Sequence, residues 1–290
     1  MKKEDVFSLF LYMVILAVAV VFGLTVLQPH FEASSFKTGL TYALFILGAV
    51  IAAVMICALV FELGHVVGAK AGRYNILSVC ILHLLFYKNE DKFKVKFSSF
   101  DGLTGETKIL PKDEKSNPRL YLLLGNFIGT ILIVLYFVLF YVNKEYKGFR
   151  GDVGYFFLTM GIVTIICVFY NILPFKLDLI NDGYRLAMIS NPRNRAAFNE
   201  LLRVEHEISL GHNDVEIKTF TELTNFTASL NMEKVFIALD KENYEEALEL
   251  IEIVLNNEQT VSHKVYLRAL AMKIYLLYLR FLPLLIFIHS

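Results

Sequence analysis

Glu62 and His65 stand three residues apart near the end of the apolar run MICALVFELGHVVGAK, Met55 to Lys70, with the small Gly64 between them. That spacing is close to one helical turn, so the carboxylate and the imidazole share one side of a helix. In an apolar setting each is costly unless it has a task or a partner. The spelling is most of H-E-x-x-H, in which histidines at i and i+4 bind zinc and the glutamate beside the first activates the metal-bound water. Zinc lowers the pKa of that water from about 15.7 to near 7. Phe61 stands where the first histidine belongs. A further ligand has to come from a distant part of the chain. The candidate is Asp182, in Asn181-Asp182-Gly183, beyond an apolar run that closes with Asn171-Ile172-Leu173-Pro174. Taken separately, Glu62 and His65 also read as a hydrogen-bonded pair inside a helix, and Asp182-Gly183 as a common turn.

The elements that would position these residues are membrane elements. The chain is 56% hydrophobic and 19% charged with a mean hydropathy of +0.53, too apolar for an ordinary soluble domain. Its formal net charge is zero, which speaks against a nucleic-acid partner. Cys57, Cys80 and Cys167 are scattered in or beside apolar runs and read as small core hydrophobes. Apolar runs at Val6–Leu27, Leu40–Leu59, Leu120–Val142 and Tyr155–Leu173 predict about four spans. The first is too long for a signal peptide, has no small-residue cleavage site after it, and is expected to remain as an anchor.

Between the second and third spans lies a polar segment with its own pattern. Ile76 to Tyr87 is rich in apolar residues, and Lys88-Asn89-Glu90-Asp91 makes a turn. Lys92 to Phe97 alternates strictly, with Phe93, Val95 and Phe97 on one side and lysines on the other, the mark of a half-buried strand. Asp101-Gly102 signals another turn, and Glu106 to Leu110 a third strand that Pro111 terminates. This predicts a small antiparallel sheet against the membrane, its apolar face toward lipid or protein and its lysines toward headgroups. In the third span Gly125 and Gly129, four apart, permit close helix approach. Asn126 beside them suits either an interhelical hydrogen bond or a site-shaping role.

After Lys176 charges become frequent. Arg185 to Leu210 reads as amphipathic helix broken near Asn191-Pro192, and Asp240 to Leu255 as a one-faced helix, weakly tetratricopeptide-like at Tyr244–Leu248. Val265 to Ile288 is apolar but interrupted by Arg268, Lys273, Arg280 and Pro283, which favours a packed helix over a membrane contact. His206 and His212, six apart, lie on different helical faces and read as surface polar residues. Lys2, Lys3 and the basic 71–119 loop favour cytoplasmic termini, although Lys144, Lys147 and Arg150 in the 143–152 loop weaken that bias.

With these residues together, the chain resembles the site-2 protease family of intramembrane zinc metallopeptidases, in a bacterial branch. That family pairs a membrane H-E-x-x-H helix with a later Asn-x-x-Pro and Asp-Gly segment. The matching pieces are Glu62-Leu63-Gly64-His65, Asn171, Pro174, Asp182 and Gly183. The family can place between them a membrane-associated sheet that holds a substrate segment as an added strand, and residues 76–110 suit that part. Leu124-Gly125-Asn126 resembles its glycine- and asparagine-containing core helix. The resemblance covers residues 40–190, leaving 1–39 as an anchor helix and loop and 191–290 as a carboxy-terminal helical region.

The resemblance implies a mainly α, polytopic membrane bundle in a bacterial cytoplasmic membrane, with a lipid bilayer and a transmembrane protein substrate as partners. It implies one zinc ion held by His65 and Asp182, Glu62 as general base, and Asn171, Pro174, Gly183 and Asn126 shaping the site. Pro174 to Asp182 is longer than the family's usual spacing, so Asp178 is a second-choice ligand. Phe61 is the larger departure. Zinc binding in structural sites is worth about 10–16 kcal/mol in total, so one lost ligand is a large fraction. His83, placed in a predicted strand, is the one histidine with a claim to replace it. The expected function is therefore a zinc metalloprotease acting on membrane-embedded substrates and impaired by Phe61. The alternative is a catalytically inactive pseudoprotease that binds membrane proteins as a regulator. A proton-path transporter using Glu62, His65 and Asp182 ranks third, because four spans without internal symmetry suit it poorly.

Overall fold

The computed structural model describes residues 3–24, 36–89, 92–98, 105–146, 149–174, 181–212, 214–220 and 222–288. They form two units, Met1–Ile109 with Asn117–Ala187, and Leu110–Ser116 with Met188–Ser290.

The first unit contains the long apolar helices: α1 (Lys3–Phe22), α2 (Phe36–Ala71), α3 (Arg119–Lys144) and α4 (Phe149–Ile172), followed by the start of α5 (Asp182–Ile189). Among the described residues three apolar stretches are long enough to cross a membrane: Gly39–Ala71, Arg119–Lys144 and Gly151–Ile172. Where four spans are expected, α1 carries a shorter apolar run, Leu9–Phe22. Helix α2 sorts its side chains by size. On α2, Ala49, Ala53 and Cys57 recur every four residues and are buried, the first two against Tyr136 of α3 and Met160 of α4. Leu44, Leu47, Ile51, Met55, Leu59 and Leu63 recur at three- or four-residue steps on the outside and are exposed. Small residues inward and leucines outward is the inverse of a water-soluble bundle, and it is the arrangement that lets apolar helices approach closely.

The approach is closest at Gly64. A Cβ there would overlap the backbone of Gly125, and one on Gly125 would press on the backbone of Phe61, at 3.0 Å from its carbonyl oxygen. The two glycines thus set the separation of α2 and α3 where α2 carries Glu62 and His65.

The sheet has four strands in the order β3-β2-β1-β4: β1 (Tyr74–Ile81), β2 (Leu84–Asn89), β3 (Lys92–Phe97) and β4 (Gly105–Pro111). The apolar stretch 76–87 therefore holds parts of two strands rather than one. Leu82 and His83 reverse the chain with φ of 47° and 69°, left-handed values usually supplied by glycine or asparagine, so no turn residue announces the hairpin. His83 lies in that turn and not in a strand, its Nδ1 hydrogen-bonded to the Ser98 carbonyl at 3.2 Å. Lys88 and Asn89 end β2, while Glu90, Asp91 and the expected Asp101-Gly102 turn lie outside the described residues. On β4, Thr107 and Ile109 are buried and Lys108 between them is exposed.

The second unit is built from α6 (Pro192–Ser209), α7 (Asn225–Asp240), α8 (Tyr244–Leu255) and α9 (His263–Ile288). The helix starts are chemically marked. Asn191 accepts from the Arg193 N–H at 2.9 Å ahead of Pro192, and Thr224 and Thr227 form a reciprocal capping box. Ala247, Ile251 and Val254 of α8 bury their one apolar face against Met232 and Val235 of α7 and Val265 and Ala269 of α9. Among the described side chains the expected tail packs through Val265, Ala269 and Leu276, and two of its charges are paired: Arg268 with Glu233 at 2.7 Å and Lys273 with Glu252 at 2.6 Å. The tetratricopeptide-like stretch opens α8 within this single α7–α8 pair, short of the three units a solenoid requires. His212 is exposed and bonded to Glu207 at 2.7 Å. Glu200 is buried and held by Arg203 through bonds of 2.8 and 3.2 Å and by the Lys218 N–H at 3.0 Å.

Two outcomes follow. Gly64→Ala should cost about 1–3 kcal/mol through backbone overlap, whereas Gly48→Ala, with open space around its Cβ position, should change stability by no more than about 1 kcal/mol; thermal unfolding in detergent compares them. The second concerns Glu200, whose burial pushes its pKa up but is outweighed by Arg203 and the Lys218 N–H, leaving it below the ordinary value of 4.5. A depressed folded pKa contributes stability that is complete above the unfolded value and is lost as pH falls through the folded one. The stability advantage of the wild type over Glu200→Gln should therefore hold at neutral pH and shrink below about pH 4.

Candidate functional site

The site is assembled around α2. Glu62 is 3% exposed and His65 7%, so water satisfies neither, and their partners come from three other elements. The His65 Nδ1 lies 2.7 Å from the backbone carbonyl of Tyr121 on α3. A carbonyl only accepts, so Nδ1 carries the proton and donates it there, which fixes the ring orientation. The other ring nitrogen, Nε2, is 3.2 Å from Oδ2 of Asp182 at the start of α5. A neutral ring would set a lone pair against the carboxylate, so this contact requires a proton or a cation between the two atoms. The Tyr121 ring also packs on the imidazole, with centroids 4.8 Å apart.

Asp182 is held from the other side as well. Asn171, in the last turn of α4, donates from Nδ2 to the same Oδ2 at 2.9 Å, and the Arg185 guanidinium stands 4.0 Å from Oδ1. Burial alone would raise the Asp182 pKa, but the facing His65, with Arg185 and Asn171, holds it below the usual carboxylate range. Gly183 is where α5 meets the end of α4, since a Cβ there would overlap the Ile172 carbonyl oxygen. Pro174 is exposed just past the end of α4. Asp178 lies outside the described residues.

Glu62 has a partner on the sheet. Thr107 of β4 donates from its hydroxyl to Oε2 at 2.5 Å, and the Tyr121 hydroxyl donates to the Thr107 carbonyl at 3.1 Å. Gly105, at the start of β4, is pressed between the Cys80 carbonyl and the Glu62 side chain, where a Cβ would lie 2.8 Å from Oε1. Asn126 is buried and does not make the expected interhelical bond. Its Nδ2 donates along its own helix to the Leu122 carbonyl at 3.4 Å, and its Oδ1 has no hydrogen-bond partner among the described residues.

Thus Glu62, His65, Asn171 and Asp182 gather in one buried polar patch, and Phe61 does not join it. Its ring is buried with Cys57 and Val168 and packs at Gly129, offering no donor. His83, in the exposed β1–β2 turn, is committed to Ser98. Catalytic zinc takes three protein ligands and an open position. Among the described residues no group of three or more histidine, cysteine, aspartate or glutamate side chains is placed to hold a metal ion. Among the described residues the donors that meet there are His65 and Asp182, two where that requirement asks for three.

Sequence reasoning passed over four contributors: Thr107, Tyr121, Asn181 and Arg185. Tyr121 orients the imidazole through its carbonyl as well as its ring, and no side-chain pattern reveals the carbonyl. Thr107 is the polar exception on the inward side of β4, a signal visible once the strand is placed. Asn181 has the clearest signal, a helix-capping residue type directly before Asp182. Its Nδ2 donates to the Tyr170 and Leu173 carbonyls, each at 2.5 Å, and its Oδ1 accepts from the Tyr184 N–H at 3.0 Å. One amide therefore closes the end of α4 and caps the start of α5. Asn181→Ala should cost about 1–3 kcal/mol and speed hydrogen exchange in 182–186 more than in the middle of α4. No family model, no curated protein and no solved structure matches this chain.

Proposed function

We propose that the chain is an integral membrane protein with a site-2-protease-like core, and that it receives a transmembrane segment of a partner protein at the Glu62–His65–Asp182 patch without hydrolysing it. The observation that carries this reading is the ring of Phe61, buried among apolar neighbours where the zinc motif needs a ligand. Two features support reception of a peptide. Strand β4 is an edge of the sheet, so its outer backbone groups can pair with an added strand. Its residue Thr107 also touches Glu62, so a segment laid beside β4 would run past that carboxylate. A membrane helix that unwinds there would regain backbone hydrogen bonds that lipid cannot supply.

The outward leucines of α2 face acyl chains in this reading. With α1 also crossing there are four spans, and both termini lie on the cytoplasmic side of a bacterial membrane, with Lys2, Lys3 and the basic 71–119 loop.

The test uses the purified protein in proteoliposomes with a reporter transmembrane segment carrying a photocrosslinker. The expected outcome is crosslinking to the wild type and to Glu62→Gln without cleavage by either. Elemental analysis should find far less than one zinc per chain, rising in Phe61→His. Zinc-dependent cleavage by the wild type, abolished in Glu62→Gln, would instead make the protein an active peptidase.

A further inference from the structure

We propose that the β2–β3 hairpin is a lipid-binding element that seats on the anionic headgroups of one bilayer leaflet. The register pairs Leu84 with Phe97 and Phe86 with Val95, so these four side chains share one face. Their exposure rises toward the sheet edge, from 38% and 36% at Leu84 and Phe86 to 57% and 83% at Val95 and Phe97. A face this apolar needs a cover. The opposite face has another character. Lys94 pairs with Tyr87 and Lys96 with Leu85, and Lys92, Lys94 and Lys96 are exposed. Alternate residues of a strand are about 7 Å apart, so the three ammonium groups form a row.

That combination selects the cover. A folded protein partner would need an apolar surface for one face and acidic groups for the other. A leaflet supplies both together, because acyl chains take the apolar face while phosphates reach lysines that extend along the interface. The Lys96 ammonium already lies over the Tyr87 ring, 5.3 Å from its centroid, an aromatic and basic pairing typical of that zone. All three lysines stand on the side of the hairpin away from Phe86 and Val95, where an outside anion can reach them. The sheet also follows directly from the basic end of α2, at Lys70 and Arg73, where headgroups lie if α2 spans. The inference rests on that membrane reading and adds the lipid class and the surface that meets it.

The protein has no tryptophan, so a single introduced indole reports alone. Phe97→Trp is placed in vesicles with acyl-brominated lipid, either phosphatidylcholine only or with about a third phosphatidylglycerol. Ile51→Trp, on the outward face of α2, is the control. The expected result is quenching of the Phe97→Trp indole that is at least about twofold stronger with the anionic lipid, the difference vanishing when Lys92, Lys94 and Lys96 become glutamine. Quenching at Ile51→Trp with none at Phe97→Trp would overturn the hairpin proposal while leaving the spans intact, and would assign the apolar face to a protein cover. Quenching at Phe97→Trp that ignores phosphatidylglycerol or the lysines would overturn the anionic preference. Absence of quenching at Ile51→Trp would overturn the membrane reading beneath both.

Discussion

Backbone approaches backbone at Gly64 and Gly125, and the polar patch depends on that contact. An imidazole inside an apolar bundle has to find every hydrogen-bond partner within the protein. The nearest acceptor for His65 is a main-chain carbonyl one turn before Gly125, reachable only because neither helix carries a side chain at the crossing. With that bond made, the ring's other edge is aimed at Asp182, which in turn is braced by Asn171 and Arg185. Helix packing and site geometry are the same constraint seen at two scales. Any residue larger than glycine at position 64 would move the histidine as well as the helix.

Phe61 shows how the same helix serves two purposes. It is one residue from Glu62 and four from His65, yet its ring joins the small apolar cluster with Cys57 and Val168 and fills space beside Gly129. The position has therefore gone to packing, with a well-buried aromatic ring contributing to the contact of α2 with α3 and α4. A histidine at 61 would exchange that apolar burial for a polar ring requiring partners. Gain of a donor and loss of packing are opposite signs of one substitution.

Much of this was legible in the amino-acid sequence, for physical reasons that differ by element. Long apolar helices are visible because they are uniformly apolar, and β3 because lysine alternates with apolar residues. Both Glu62–His65 and Asp182–Gly183 stand out as polar interruptions. The Leu82-His83 reversal was not legible, since its left-handed backbone is imposed by strand pairing rather than by residue type. Nor was the role of Tyr121, which holds the imidazole through a main-chain atom, whereas Thr107 shows as the polar exception on its strand but its partner Glu62 does not. In α1 the described residues carry the apolar stretch Leu9–Phe22, and the rest of the expected run to Leu27 lies largely outside them.

Asn181 carries a mechanical consequence. Its single amide grips the last carbonyls of α4 and the first turn of α5 together, so the end of one helix and the start of the next are pinned to each other. The very next residue is Asp182, so the carboxylate that faces His65 sits directly beside this clasp. The imidazole is thereby tied to two helix ends at once, to the last turn of α4 through Asn171 and to the first of α5 through Asp182.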